Sequence, residues 1–340
     1  MPCFKKYSII HWLACLYARP EMSHNNRMLQ NFLICAGAVV PSAIYLIIGV
    51  VLRATRVLGD RAVKKFTHVI FVALYPFMMF DNLYDKNITE HLEAMLVVYA
   101  VGFTLLQLVM SWWFVCKVEP DNYHRGAMIQ ALYRSNYVLM GLPIAINLFG
   151  KGNVAPVAVV LLFVVPIYNA SAVIIFEKFR GGKVDFKQML LHILTNPIME
   201  GGIAAVIVIL LGIRLPEVIH GTVTTLSDCT SPIALILLGA GLNFNAFKSD
   251  RSKIAICTSG KLIVFPALGI AGAVALGFTG PELIALTLMV STPVALASYA
   301  MASSMGGNGR LAGELVVITT ALSCFTIPIW LFILKSAALF

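Results

Sequence analysis

Charged side chains are scarce in this sequence. Aspartate, glutamate, lysine and arginine make up only 12% of its 340 residues, whereas hydrophobic residues make up 59%. The mean hydropathy is +0.86. A soluble core formed by a chain of this length cannot bury so much apolar surface. The composition therefore excludes an ordinary soluble domain and predicts an all-α polytopic membrane protein.

The signatures of common enzymes and of ATP-driven pumps are also missing. The sequence contains no H-E-x-x-H, G-x-S-x-G, P-loop or G-x-G-x-x-G pattern, so we expect neither an enzyme nor a chain that hydrolyses ATP. Its seven cysteines include no C-x-x-C pair, and we predict no disulfide, no metal site and no bound cofactor. Energy for any membrane process would then come from a gradient of protons or sodium ions.

Long hydrophobic runs are abundant. A bilayer core needs about 20 apolar residues per helical span, and ten stretches reach that length. They are 30–52, 63–84, 92–116, 126–149, 154–177, 187–212, 219–244, 253–278, 281–306 and 310–336. Because half of ten is an odd number, two copies of a five-helix unit would cross the membrane in opposite senses. The count therefore predicts ten transmembrane helices in two inverted five-helix repeats.

Internal similarity supports this duplication. Pro41 and Pro76 are 35 residues apart, and so are Pro197 and Pro232. The segment YPFMMFDNL at 75–83 also aligns with SPIALILLG, which begins 156 residues later. Weak internal symmetry between hydrophobic segments is typical of secondary carriers.

The basic residues are distributed unevenly between the two sides of the predicted bundle. Fifteen lysines and arginines lie in or next to the loops after odd-numbered spans. The other side has four, if the N-terminal tail is not counted. Lysine and arginine concentrate on the cytoplasmic side of a membrane. We therefore predict a multi-pass protein of the plasma (inner) membrane with both termini extracytoplasmic. The net charge of +9 is then a topology signal, and no nucleic-acid partner is expected.

These assignments divide the chain into four parts. They are an N-terminal tail at 1–29, a first repeat at 30–177, a cytoplasmic linker at 178–186 and a second repeat at 187–340. Three interpretations of the tail remain open: a signal-like segment, a short interfacial helix, or a mis-assigned start with Met22 or Met28 as the first residue.

Two spans contain a proline in a context that favours a helix break. The fourth span has Gly141-Leu142-Pro143 and the ninth has Ser291-Thr292-Pro293. Proline lacks the N–H that a helix interior needs, yet it suits the first turn of a new helix, and Thr292 could cap the second of these half-helices. Each half-helix N-terminus carries about +0.5 of an elementary charge, which attracts carboxylates and phosphates. We expect the two ends to bind an organic anion; the alternative is that the prolines only kink their helices.

Polar residues at membrane depth are further candidates for a site. Asn136 precedes Pro143 by seven residues, and its amide can offer a donor and an acceptor to a carboxylate or a coupling ion. The alternative is that it satisfies unwound backbone groups. Asp81, Asp228 and Glu200 are candidates for ion coupling. The alternative for Asp81 is an interfacial position, and the alternative for Asp228 and Glu200 is a peripheral position or a pairing with a nearby base.

Arg134 and Lys261 lie some nine residues inside their spans from the cytoplasmic side. Long basic side chains commonly snorkel toward water, which is one interpretation of both. If either side chain points inward, it would neutralise an anion and favour a dicarboxylate.

Three segments carry a family resemblance. They are SNYVLMGLPIAINLFG at 135–150, NPIMEGGIAAVIVILLGIRLP at 196–216 and SPIALILLGAGL at 231–242. Their sequence and order resemble the auxin efflux carrier family, including its bacterial malate and malonate permease-like members. The resemblance covers residues 30 to 338. It implies a ten-helix inverted-repeat carrier with crossed, broken helices four and nine, in which one bundle moves against a scaffold like an elevator.

The resemblance also assigns residues. The family's crossover asparagine and proline in the fourth helix map onto Asn136 and Pro143. No asparagine directly precedes Pro293, and only about ten residues join the fifth and sixth spans, unlike the pattern of the large plant carriers. The chain thus resembles a short bacterial-type carrier, and a homodimer is expected by family analogy.

Taken together, the residues and the resemblance predict a secondary transporter of small organic anions, either mono- or dicarboxylates such as malate or malonate. The expected partners are this anion and the lipid bilayer. The predicted substrate-binding residues are Asn136, Gly141, Pro143, Ser291, Thr292 and Pro293. A sodium/proton antiporter of similar fold is the alternative, followed by a non-transporting membrane receptor or enzyme.

Overall fold

A computed structural model of the protein describes residues 24–84, 94–150, 153–180, 197–241 and 251–340. The predicted linker beyond Arg180, the start of the sixth span and most of the tail lie outside these residues. In chain order the α-helices are α1 His24–Ala54, α2 Asp60–Ala73, α3 Tyr75–Tyr84, α4 Ala94–Val118, α5 Asn122–Tyr133, α6 Leu142–Phe149, α7 Ala155–Arg180, α8 Pro197–Leu210, α9 Glu217–Gly241, α10 Arg251–Ser259, α11 Phe265–Ala275, α12 Gly280–Ser291, α13 Leu296–Ser304 and α14 Gly309–Ser336. Two π-helical turns, Tyr137–Gly141 and Gly260–Val264, precede α6 and α11.

Within the described ranges, seven helical segments are long and apolar enough to cross a membrane. They are Leu29–Ala54, Arg61–Tyr84, Ala94–Val118, Ala155–Arg180, Glu217–Gly241, Arg251–Ala275 and Gly309–Ser336. The other three predicted spans are each only partly covered by a shorter apolar helix: Tyr137–Phe149, Glu200–Leu210 and Gly280–Ser291. The prediction of a helical, multi-pass membrane protein is confirmed. The count of ten crossings and the inverted repeat stay predictions.

The helices pack in two groups. In the first, α1 lies along α9 and α3 lies along α8, with α2 beside them. The second group contains α4 to α7 and α10 to α14. The groups meet where α1 contacts α6 and α14, and where α3 contacts α7. The broken fourth and ninth spans both belong to the second group.

Segments predicted to share one side of the membrane lie close together. Lys253 Nζ is 2.7 Å from Glu119 Oε2, and the Asn308 N–H donates to the Tyr123 carbonyl at 3.0 Å. All four residues lie in or beside loops that the distribution of lysine and arginine assigns to the cytoplasmic side. At the opposite end, the Gly280 N–H donates to Leu339 O at 2.8 Å. These contacts are therefore consistent with the prediction that successive spans cross the membrane in alternating directions.

Two glycines allow α1 and α9 to touch backbone to backbone. A Cβ added at Gly239 would lie 2.1 Å from the Leu46 carbonyl oxygen, and one at Gly49 would lie 1.9 Å from that of Ile236. Small residues at such positions let membrane helices approach closely.

We expect Gly239→Ala to destabilise the protein by about 1–3 kcal/mol, because the added methyl group would force the two helices apart. The measurement is thermal unfolding in detergent. Gly102→Ala on α4 is the matched control, since a Cβ there meets no atom within 4 Å, and it should leave the unfolding temperature unchanged or slightly raised. Equal unfolding temperatures for the two variants would contradict the close approach of α1 and α9.

Candidate functional site

The fourth predicted span is interrupted at Arg134, Ser135 and Asn136. α5 ends at Tyr133, and Arg134 has an extended backbone with φ −81° and ψ 116°. Asn136, with φ −81° and ψ 50°, then precedes the π-helical turn. The predicted break at Gly141-Leu142-Pro143 is therefore wrong in position by about two helical turns.

The π-helical turn explains why the chain stays helical at Pro143. The Leu142 N–H donates to the Tyr137 carbonyl, five residues back, so the turn holds one extra residue. That extra residue relieves the clash that a proline makes with the preceding turn. Pro143 then occupies the first turn of α6, where its missing N–H is harmless.

The ninth span breaks where the sequence predicts, although the local roles differ. α12 ends at Ser291, and Thr292 is extended with φ −67° and ψ 150°, as expected for a residue before proline. α13 begins only at Leu296, after an extended Ala295. Thr292 therefore follows α12 and does not cap the next helix, and Pro293 lies within the extended segment.

The two breaks pair with each other. Ser135 and Val294 face one another in an antiparallel β-bridge, and the Asn136 N–H donates to the Pro293 carbonyl at 2.7 Å. The two broken spans run in opposite directions, so two half-helices end and two begin around this bridge. We call residues 134–136 and 291–295 the crossing.

Several polar side-chain atoms at the crossing have no hydrogen-bond partner among the described residues. Asn136 is 4% exposed, and its Nδ2 is one of these atoms. The hydroxyls of Ser291 and Thr292, and that of Ser298 in the adjoining first turn of α13, are likewise buried and have no partner among the described residues. Buried polar atoms in proteins are nearly always hydrogen-bonded. A group of unpaired donors at one place therefore marks a position for a ligand or for water.

Two cationic side chains also reach the crossing. Arg134, 5% exposed, donates from Nη2 to Asn169 Oδ1 at 2.8 Å and lies 3.0 Å from the Met301 sulfur. Lys261, fully buried in the second π-helical turn, donates from Nζ to Ser135 Oγ. The snorkelling interpretation is wrong for both side chains. In the part of the chain that the structure describes, neither forms an ion pair with a carboxylate.

The three predicted coupling carboxylates lie elsewhere. Asp81 is 9% exposed and accepts a hydrogen bond from Thr224 Oγ1 of α9 at 2.8 Å, with His220 Nε2 at 3.8 Å. Glu200 and Asp228 are exposed on α8 and α9. The structure brings none of the three into the crossing, and their role in ion coupling stays a prediction.

Sequence reasoning missed two residues that hold the breaks. Ser135 adjoins the predicted Asn136 but was not singled out, and Thr319 lies in the long apolar helix α14. Its Oγ1 accepts the Val294 N–H at 3.1 Å. No local feature of the sequence around Thr319 distinguishes it from the other hydroxyl residues of that helix.

Comparison with known proteins adds a family and two relatives. The sequence model of a family described as membrane transport protein matches residues 34–331. Over 295 residues the chain is 21% identical to an "Uncharacterized transporter" of Methanothermobacter thermautotrophicus, covering 86% of this chain and 96% of the relative. Over 281 residues it is 22% identical to a "Putative malonate transporter" of Rhizobium meliloti, covering 80% and 87%.

Proposed function

Because the chain belongs to the membrane transport protein family, as the resemblance of its motifs to the auxin efflux carriers predicted, we propose that it is a secondary active transporter of small organic anions. The proposed substrates are mono- or dicarboxylates such as malate or malonate. The name of the Rhizobium meliloti relative supports this class.

One observation carries the proposal. Two buried basic side chains without an acidic partner among the described residues meet the segment that carries the unpaired Asn136 amide: Arg134 belongs to it, and Lys261 donates to Ser135 within it. A buried charge without a counter-charge is unfavourable, and a bound anion would supply that counter-charge. The same place would suit a sodium or proton site poorly, because a further positive charge would be repelled.

Each part of the crossing has a proposed role. The Asn136 amide and the hydroxyls of Ser291 and Thr292 would donate to a carboxylate. Two half-helices begin beside the crossing, one at Tyr137 with the π-helical turn that runs through Gly141 into α6 and Pro143, and the other at α13 after Pro293. Their N-termini would add partial positive charge. Arg134 and Lys261 would neutralise one or two negative charges.

The proposed mechanism is an elevator-type alternating access in a ten-helix fold of two inverted repeats. Under this proposal the second helix group carries the crossing, and the first group, held by the contact of α1 with α9, is the scaffold. Protons or sodium ions would drive transport, with Asp81, Asp228 and Glu200 as proposed coupling groups. A homodimer in the plasma (inner) membrane, with both termini extracytoplasmic, completes the proposal.

The test is counterflow in liposomes. Liposomes that contain the purified protein and are loaded with unlabelled malonate should accumulate labelled malonate or malate from outside. Exchange through one site needs no net driving force. Indole-3-acetate serves as the bulky monocarboxylate. Sodium and pH gradients, applied separately, identify the coupling ion. Cation-dependent pH changes without exchange of any anion would instead indicate the antiporter.

A further inference from the structure

The backbone geometry of the crossing leaves the Val294 N–H in need of a partner. In the antiparallel pairing of Ser135 with Val294, the ladder bond joins the Asn136 N–H to the Pro293 carbonyl. The N–H groups of such a facing pair point away from each other. α12 has already ended at Ser291, so the Val294 N–H has no helical acceptor either.

Thr319 of α14 satisfies that N–H. Its side chain is fully buried, and its Oγ1 accepts from Val294 N at 3.1 Å. The same oxygen lies 2.7 Å from Leu315 O, to which it donates its proton. A hydroxyl can accept and donate at once, whereas a valine of the same shape can do neither.

A chain of contacts therefore links α14, the breaks of the ninth and fourth spans, and the second π-helical turn. Thr319 of α14 holds Val294, Val294 faces Ser135, and Ser135 Oγ accepts from Lys261 of the second π-helical turn. The Asn136 backbone is tied to the residue before Val294. A shift of Val294 would thus move the carbonyl that fixes Asn136.

We propose that Thr319 is a positioning residue of the anion site. Its hydroxyl, already used in both directions, does not bind the anion, but it fixes Val294 and through the bridge sets the orientation of Asn136. This inference rests on the proposed function for the identity of the site, whereas the coupling between Thr319 and Asn136 is a property of the fold.

The test compares three variants in α14. We expect Thr319→Val to raise the KM for malonate counterflow about five- to tenfold, since it leaves a buried N–H unpaired where the site is built, with a smaller change in the maximal rate. Thr319→Ser keeps the hydroxyl and should restore the KM. Thr326→Val is the control, because the Thr326 hydroxyl has no hydrogen-bond partner in the described structure, and its KM should equal that of the wild type.

Amide hydrogen exchange separates this inference from the proposed function. In Thr319→Val, the peptide containing Asn136 should exchange faster than in the wild type, although it belongs to a different span, whereas Thr326→Val should show no change. This readout needs no substrate, so it decides the coupling even if the wild type transports none of the anions tested. Unaltered exchange at Asn136 in Thr319→Val, or the same KM increase in Thr326→Val, would overturn the inference.

Discussion

Asn136→Ala is expected to lower malonate counterflow by at least about tenfold, because hydrogen bonds to a charged group contribute about 1.5–3 kcal/mol each. The Asn136 amide nitrogen has no partner among the described residues, and Asn136 directly follows Arg134 and Ser135, the residue that pairs with Val294 of the other break. The fold should survive the change, since the crossing uses the backbone of this residue: its N–H bonds to Pro293 O and its carbonyl accepts from Met140 N at 3.1 Å. Concentration-dependent counterflow measures the loss.

Asn153→Ala is the matched control for this variant. Asn153 is exposed and its amide lies 3.5 Å from Phe149 O, so its removal should leave transport unchanged. Counterflow that persists in Asn136→Ala at the wild-type KM would show that the Asn136 side chain does not bind the anion.

Lys261→Met is expected to reduce the affinity for dicarboxylates by about tenfold or more, because it removes a buried charge from the anion site while keeping the apolar stem. The loss should be larger for malonate than for a monocarboxylate. The same change should leave the unfolding temperature unchanged or raise it, since an apolar side chain avoids the desolvation of a buried charge without a counter-ion. Arg134→Gln should also weaken binding of the dicarboxylate.

The two readouts together distinguish a functional charge from a structural one. The control is Lys117→Met, because Lys117 is exposed in the last turn of α4 and should affect neither quantity. If Lys261→Met lowers the unfolding temperature and leaves the KM unchanged, Lys261 serves the C-terminal end of α5, where a cation offsets the helix dipole, and does not serve the substrate.

Local sequence determined the class of the protein and named candidate residues for its site. Apolar length depends only on consecutive residues, so the sequence could predict the seven described helical segments that are long and apolar enough to cross a membrane. The prolines at 143 and 293 marked the two interrupted spans, and the segment at 135–150 identified the family. The sequence nevertheless put the break of the fourth span at 141–143, about two helical turns beyond its position in the structure.

Tertiary structure alone decided how the breaks are built. The interruption lies at Arg134 to Asn136 because those backbone groups pair with Pro293 and Val294, more than 150 residues away, while a π-helical turn absorbs Pro143. The directions of Arg134 and Lys261, and the acceptor that Thr319 supplies, depend likewise on helices distant in sequence. The physical reason is that an unwound backbone inside a membrane must find its hydrogen bonds on neighbouring helices, and no local pattern specifies which neighbour that is.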